Sequence, residues 1–172
     1  VATAVVPIVV YNSIQGKVYS ITVESEAAGF NAYSVTLKRG QTIAHLEKKL
    51  NMFEGHTLEG IFKDTECSER FDAAEKVKKN QVVYLKYSVN KYNITFDLDN
   101  TKYTVVDISN KSITGETVVE YGSKFKFKIV PKLGYTAADI NVSWYNQSQS
   151  MQNGYYVIDI DREGDVDVKI GN

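Results

Sequence analysis

From Lys17 the chain alternates apolar and polar positions as Val18-Tyr19-Ser20-Ile21-Thr22-Val23-Glu24. A period of two in β-branched and aromatic residues sends alternate side chains to opposite faces of a strand. Gly29 and Asn31 supply turn residues, and Tyr33-Ser34-Val35-Thr36-Leu37-Lys38 repeats the alternation as far as Arg39-Gly40, so the two runs predict a hairpin-like pair. The period then changes. Ile43, Leu46 and Leu50 fall three and four apart behind Thr42, a suitable N-cap, and predict one short helix ended by Glu54-Gly55. Thr57 to Phe62 and Gln81 to Tyr87 return to strand patterning on either side of a charged stretch from Lys63 to Lys79. Strand, strand, helix, strand, strand is the ββαββ order of a β-grasp module, whose sheet covers one face of the helix.

Beyond Ser88-Val89-Asn90 no helical period returns. Tyr92 to Leu98, Tyr103 to Ile108, Lys124 to Val130, Ile140 to Trp144, Tyr155 to Ile160 and Val166 to Ile170 alternate or run β-branched at spacings that suit a small all-β module, sandwich-like or an open barrel. The chain therefore reads as mostly β, of α+β character, in two modules spanning residues 1–90 and 91–172. Val5 to Tyr11 reads as an extra N-terminal edge strand that tolerates Pro7, or as the remnant of a signal or anchor segment. The apolar run from Val1 to Val10 is about half the length needed to cross a bilayer, so no transmembrane span is expected.

Composition narrows the function classes. At 43% hydrophobic and 24% charged residues the chain lies outside the disordered class and suffices for folded cores. Its 20 basic and 21 acidic side chains divide into 11 and 10 up to Asn90 and 9 and 11 after it, so neither half is polarised and a nucleic-acid partner is disfavoured. Cys67 stands alone, which rules out an intrachain disulfide and a cysteine-based zinc site.

Reaction chemistry finds little to work with. His45 and His56 are the only side chains that ordinarily titrate near neutrality; one lies beside the apolar helix face, the other in a turn, and neither has a partner in sequence. Cys67 sits among Thr65, Glu66, Ser68 and Glu69, and the two glutamate carboxylates oppose thiolate formation. No Gly-rich phosphate loop, Gly-x-Ser-x-Gly elbow or His-Glu-x-x-His helix occurs, and no cofactor is expected. The nearest thing to a metal motif is Asp159-Ile160-Asp161-Arg162-Glu163-Gly164-Asp165-Val166-Asp167, where Asp159, Asp161, Asp165 and Asp167 echo a calcium loop. The twelfth position, however, is Ile170, and alternation with Ile160, Val166 and Val168 fits two strands joined by a Glu-Gly turn. Among 12 tyrosines, Tyr145, Tyr155 and Tyr156, flanking the polar loop from Asn146 to Asn153, form the best candidate aromatic set for stacking on a glycan.

Gly55-His56-Thr57-Leu58-Glu59-Gly60-Ile61-Phe62-Lys63-Asp64-Thr65, then Phe71-Asp72, then Val82-Val83-Tyr84-Leu85-Lys86-Tyr87, resemble in order and spacing the Listeria-Bacteroides repeat, also called the internalin B-repeat. The similarity covers roughly residues 18–90. Ile61 and Tyr87 stand where that family has tryptophans, Phe62 replaces its tyrosine, and the Ala44 to Leu50 segment replaces a proline-containing loop. Tyr92 to Asn100 looks like the start of a following unit. Val119-Glu120-Tyr121-Gly122, Pro131 to Thr136 and Asp165 to Ile170 resemble a second type of bacterial surface repeat. Gly55 and Gly134, 79 positions apart, each follow a glycine turn and precede a terminal strand, a spacing that hints at two related units. The resemblance implies a non-catalytic module of a secreted or cell-surface bacterial protein, part of a longer multi-module chain, acting as spacer, adhesin or protein-interaction domain. The alternative is a carbohydrate-binding module with a surface glycan as partner.

Overall fold

The computed structural model describes residues 16–138 and 140–171; the strand or anchor expected before Gly16 lies outside them. The chain divides into two compact units, one carrying the segments up to Phe53 and from Thr57 to Ser88, the other Glu54–His56 and everything from Val89 onward.

In the first unit β1 (Val18–Glu24), β2 (Tyr33–Lys38), α1 (Ile43–Glu47), β3 (His56–Phe62) and β4 (Gln81–Val89) follow one another, and the strands form a sheet in the order β2-β1-β4-β3. β1 and β2 pair antiparallel from Val18↔Lys38 to Val23↔Tyr33, while the last strand lies parallel to the first through Ile21↔Gln81 to Glu24↔Tyr84. The alternation of β1 puts Tyr19, Ile21 and Val23 inward, where they meet Val35, Leu37, Ile43, Leu46, Ile61, Val77, Val83 and Leu85. The helix is shorter than its apolar spacing predicts: it ends at Glu47, and Leu50 packs against the core from the segment that follows. One and a half turns cannot span a sheet face as a β-grasp helix does, so the β-grasp name rests on element order alone.

The second unit holds β5 (Lys91–Asp97), β6 (Tyr103–Val106), β7 (Thr117–Glu120), β8 (Lys124–Pro131), β9 (Asn141–Trp144), β10 (Gln147–Gln149), β11 (Tyr156–Asp159) and β12 (Val166–Gly171). A five-stranded sheet, β10-β9-β12-β5-β7, and a three-stranded one, β11-β8-β6, enclose a single apolar core in a sandwich-like arrangement. Ile94, Val142, Trp144, Val166, Val168 and Ile170 face Val105, Phe127, Tyr156 and Ile158 across it. Here too the final strand runs parallel to the unit's first, Val166↔Ile94 to Lys169↔Asp97. β7 and β10 fall outside the runs that the hydrophobic pattern marks as strands.

Two readings from sequence change. β11 and β12 are not a hairpin joined by a Glu-Gly turn, because they belong to different sheets and Ile160 to Asp165 carries the chain from one to the other. Tyr156 is not a surface aromatic: it is 8% exposed and its ring stacks on Phe127 with centroids 5.4 Å apart, inside the core.

Candidate functional site

The first unit has a recess of about 340 Å³ where the ends of β1 and β4 meet the loop that follows β3. Glu26, Thr65, Glu66, Cys67, Tyr84 and Lys86 line it. Asp64 builds the loop. One of its carboxylate oxygens accepts Ser68 N–H at 3.0 Å and Ser68 Oγ–H at 3.1 Å, and the other accepts Glu69 N–H at 2.7 Å. Cys67 N–H donates to Asp64 O at 3.1 Å, and Cys67 takes a φ of 53°, in the left-handed region that bulkier side chains avoid. Burial and then the Asp64 carboxylate push the Cys67 thiol up, away from the thiolate form a nucleophile needs. Lys63 closes the loop outside, 2.8 Å from Glu69 and 3.5 Å from Glu75.

The backbone donors hold the Asp64 carboxyl below the ordinary aspartate range, Ser68 N–H contributing most. Because the folded value lies below the unfolded one, the stabilisation is complete above the usual aspartate pKa of about 4 and is lost as pH falls through the lower folded value. Asp64→Asn is therefore expected to lower the first unit's unfolding midpoint at pH 7 and to narrow that difference at pH 2 to 3. An equal deficit at both pH values would show that ionised Asp64 does not hold the loop.

The second unit has a smaller recess, about 210 Å³, at the β9–β10 hairpin. Tyr145 and Asn146 form its two-residue turn with φ values of 51° and 58°, between Trp144 and Gln147, which pair across the strands. A turn with both central residues at positive φ favours Asn-Gly; tyrosine at the first position is a costly choice. The ring packs against the core, its hydroxyl is buried without a hydrogen-bond partner among the described residues, and the Arg162 guanidinium lies 4.8 Å from the ring centroid. Asp165, Asp167 and Lys169 complete the recess.

The four aspartates of the acidic stretch are separately engaged. Asp159 meets Lys124 Nζ at 2.7 Å; Asp161 lies 3.8 Å from Arg162 Nε. Asp165 accepts Asn93 N–H at 2.7 Å, and Asp167 accepts Thr95 Oγ–H at 2.5 Å. Among the described residues no three acidic, histidine or cysteine side chains converge as metal ligands. The histidines serve local backbone: His45 Nδ1 lies 2.9 Å from Thr42 Oγ1 and accepts Thr42 N–H at 3.3 Å at the start of α1, and His56 Nδ1–H donates to Glu54 O at 2.9 Å. Tyr155, the remaining candidate, is partly buried with Lys128 Nζ 4.3 Å from its ring centroid.

No family model matches the chain. It is similar to a protein of Evansella cellulosilytica described as a "Putative Gly-rich membrane protein", 27% identical over 127 residues that make up 73% of this chain and 13% of that protein. The chain thus spans about an eighth of that relative's length.

Proposed function

We propose that this chain is a pair of non-catalytic modules from a secreted or cell-surface bacterial protein, acting as spacer, adhesin or protein-interaction element, with the Listeria-Bacteroides resemblance of residues 18–90 as one support. The observation that carries the reading is the chemistry of the outward sheet faces. In the first unit these are mainly polar, Ser20, Thr22, Ser34, Thr36 and Lys38 with Val18 and Val82 among them; in the second, Asn93, Thr95, Ser143, Asp167 and Lys169 with Val118, set beside one another by the strand register. Each face is solvated while its opposite face encloses an apolar core, so each unit is suited to folding by itself and to being strung along a longer chain.

Carbohydrate binding has one observation on its side, the Tyr145 recess with its carboxylates and Lys169. Against it, Arg162 and Lys128 each cover a ring face, of Tyr145 and Tyr155, on which a sugar would stack. Glycan and host-matrix arrays, with a panel of hydrolase substrates in parallel, separate the possibilities. The expected result is contact-type binding or none. Turnover abolished by a single substitution at His45, His56, Cys67 or one carboxylate would overturn the proposal, and glycan binding lost in Tyr145→Ala would move it to the carbohydrate-binding alternative.

A further inference from the structure

Charge is balanced along the sequence of the first unit, but the topology separates it in space. Lys38, the last residue of β2, is in register with Val18, and Arg39 N–H donates to Lys17 O at 2.8 Å, so Lys17, Lys38 and Arg39 gather where β1 begins. A third segment reaches the same end. Thr42 bridges Lys76, Val77 N–H donates to Gln41 O at 3.0 Å, and Asn80 Oδ1 accepts Ser20 N–H at 3.0 Å. Lys76, Lys78 and Lys79 therefore stand just before β4, beside the start of β1. All six cations are exposed, and among the described residues no ion pair joins any of them to a carboxylate. Of the acids close in sequence, Glu75, which shares the depression with the lysines, lies 3.5 Å from Lys63 Nζ, and Asp72 accepts Ala74 N–H at 2.7 Å. Residues 1–15, which lead into Lys17, contain no charged side chain that could neutralise the group.

We propose that this end of the first unit binds a flexible linear polyanion carrying repeated phosphate or sulfate groups. Unpaired like charges at one end of a small sheet focus potential outward and draw in counter-charge. A depression of about 470 Å³ runs among Lys76, Lys78, Lys79 and Glu75, giving a chain of anions a concave seat. Five of the six cations are lysines, compact charges on mobile stems that follow a flexible polymer without demanding one geometry. Duplex nucleic acid fits less well, because the five-residue α1 is too short to read a groove and Tyr19, the aromatic at this end, is 7% exposed and offers no stacking platform. A bilayer fits less well too, since Val18 and Val82 are the only large apolar side chains exposed here among the described residues. The inference goes beyond the module reading and does not depend on it.

The test titrates the whole chain with long-chain inorganic polyphosphate and, separately, heparin, at 50 and 200 mM salt, alongside a 20-base-pair duplex and phosphatidylserine vesicles. Expected is polymer binding that falls steeply with salt and weakens by roughly tenfold or more in Lys76→Glu/Lys78→Glu/Lys79→Glu. The same charge change at exposed positions of the second unit outside the Tyr145 recess, Lys111→Glu/Lys126→Glu/Lys132→Glu, is expected to shift affinity by less than about threefold. Polyphosphate preferred over heparin assigns phosphate as the recognised group, and the reverse assigns sulfate; either supports the site. No binding to either polymer at 50 mM salt, equal losses in the two triple variants, or tighter binding to duplex or vesicles than to the polymers would overturn it. Circular dichroism of both variants verifies that the losses are not failures to fold.

Discussion

Ending the chain after Gly164 is expected to unfold the second unit completely and to leave the first native. The residues removed include β12, last in sequence but central in the five-stranded sheet, where it pairs with β9 on one side and β5 on the other. Without it the sheet falls into two pairs of strands, and Val142, Trp144 and Ile94 lose the neighbours that cover them. Val166 and Val168 are fully buried and Ile170 is 6% exposed. At about 1.5 to 3 kcal/mol for each such side chain, their burial alone is worth roughly 5 to 9 kcal/mol. A unit of this size is stable by only roughly 4 to 12 kcal/mol in total, so this loss, added to the broken strand pairing on both sides of β12, is comparable with its whole margin. Trp144 is the chain's single tryptophan and is 7% exposed in this core, which makes its fluorescence a reporter for the second unit alone. A red-shifted emission, together with native methyl NMR signals from Val23, Leu37 and Leu85, is the expected pair of results. Native Trp144 emission in the shortened chain would mean that β12 is not the strand that closes this sheet.

The same placement explains what the sequence made legible and what it hid. Alternation in Val18 to Glu24 or Val166 to Ile170 is a local signal, and these strands lie where it puts them with their inward and outward sides as expected. Pairing is not local. Both units set their last strand parallel to their first, a choice made by which apolar faces close a core, and nothing in the periodicity of β12 distinguishes the centre of a sheet from its edge. That is why Asp159 to Asp167 looks like a hairpin in sequence and is a crossover between sheets in the fold. Tyr156 follows from the same blindness: beside a polar loop it resembles a surface aromatic, but one residue of register puts Tyr155 outward and Tyr156 inward. The cationic end of the first unit was equally invisible, because Lys17, Lys38-Arg39 and Lys76 to Lys79 are far apart in sequence, and their charge is cancelled by acids elsewhere in the unit when charge is summed along the chain. The turn at Tyr145-Asn146 carried a signal in the wrong direction, since tyrosine at positive φ is what turn chemistry argues against.

The helix tests how the first unit is held together, and Leu46→Ala is expected to cost about 2 to 5 kcal/mol, the range for a fully buried leucine cut to alanine. Isolated helices below about 12 residues are marginal even with strong helix formers, so the five residues of α1 owe their form to tertiary contacts. Those contacts are few. Ile43 N–H donates to Glu75 O at 3.0 Å and Ala44 N–H to Ala73 O at 2.9 Å, replacing partners that a first turn lacks. His45 ties back to Thr42, and only Ile43 and Leu46 are buried. Leu46 is the larger anchor by position, 0% exposed and set in the core formed by Tyr19, Ile21, Leu37 and Leu85. A unit of this length is stable by roughly 4 to 11 kcal/mol, so the substitution removes a large part of its margin. Urea unfolding of the full chain, followed by Leu85 methyl signals for the first unit and Trp144 fluorescence for the second, should show the first midpoint falling sharply and the second unmoved. Leu50, beyond the helix and only partly buried, supplies the comparison, and Leu50→Ala is expected to cost less than half as much. Equal costs at the two positions would show that the segment after α1, and not the helix, seals this side of the core.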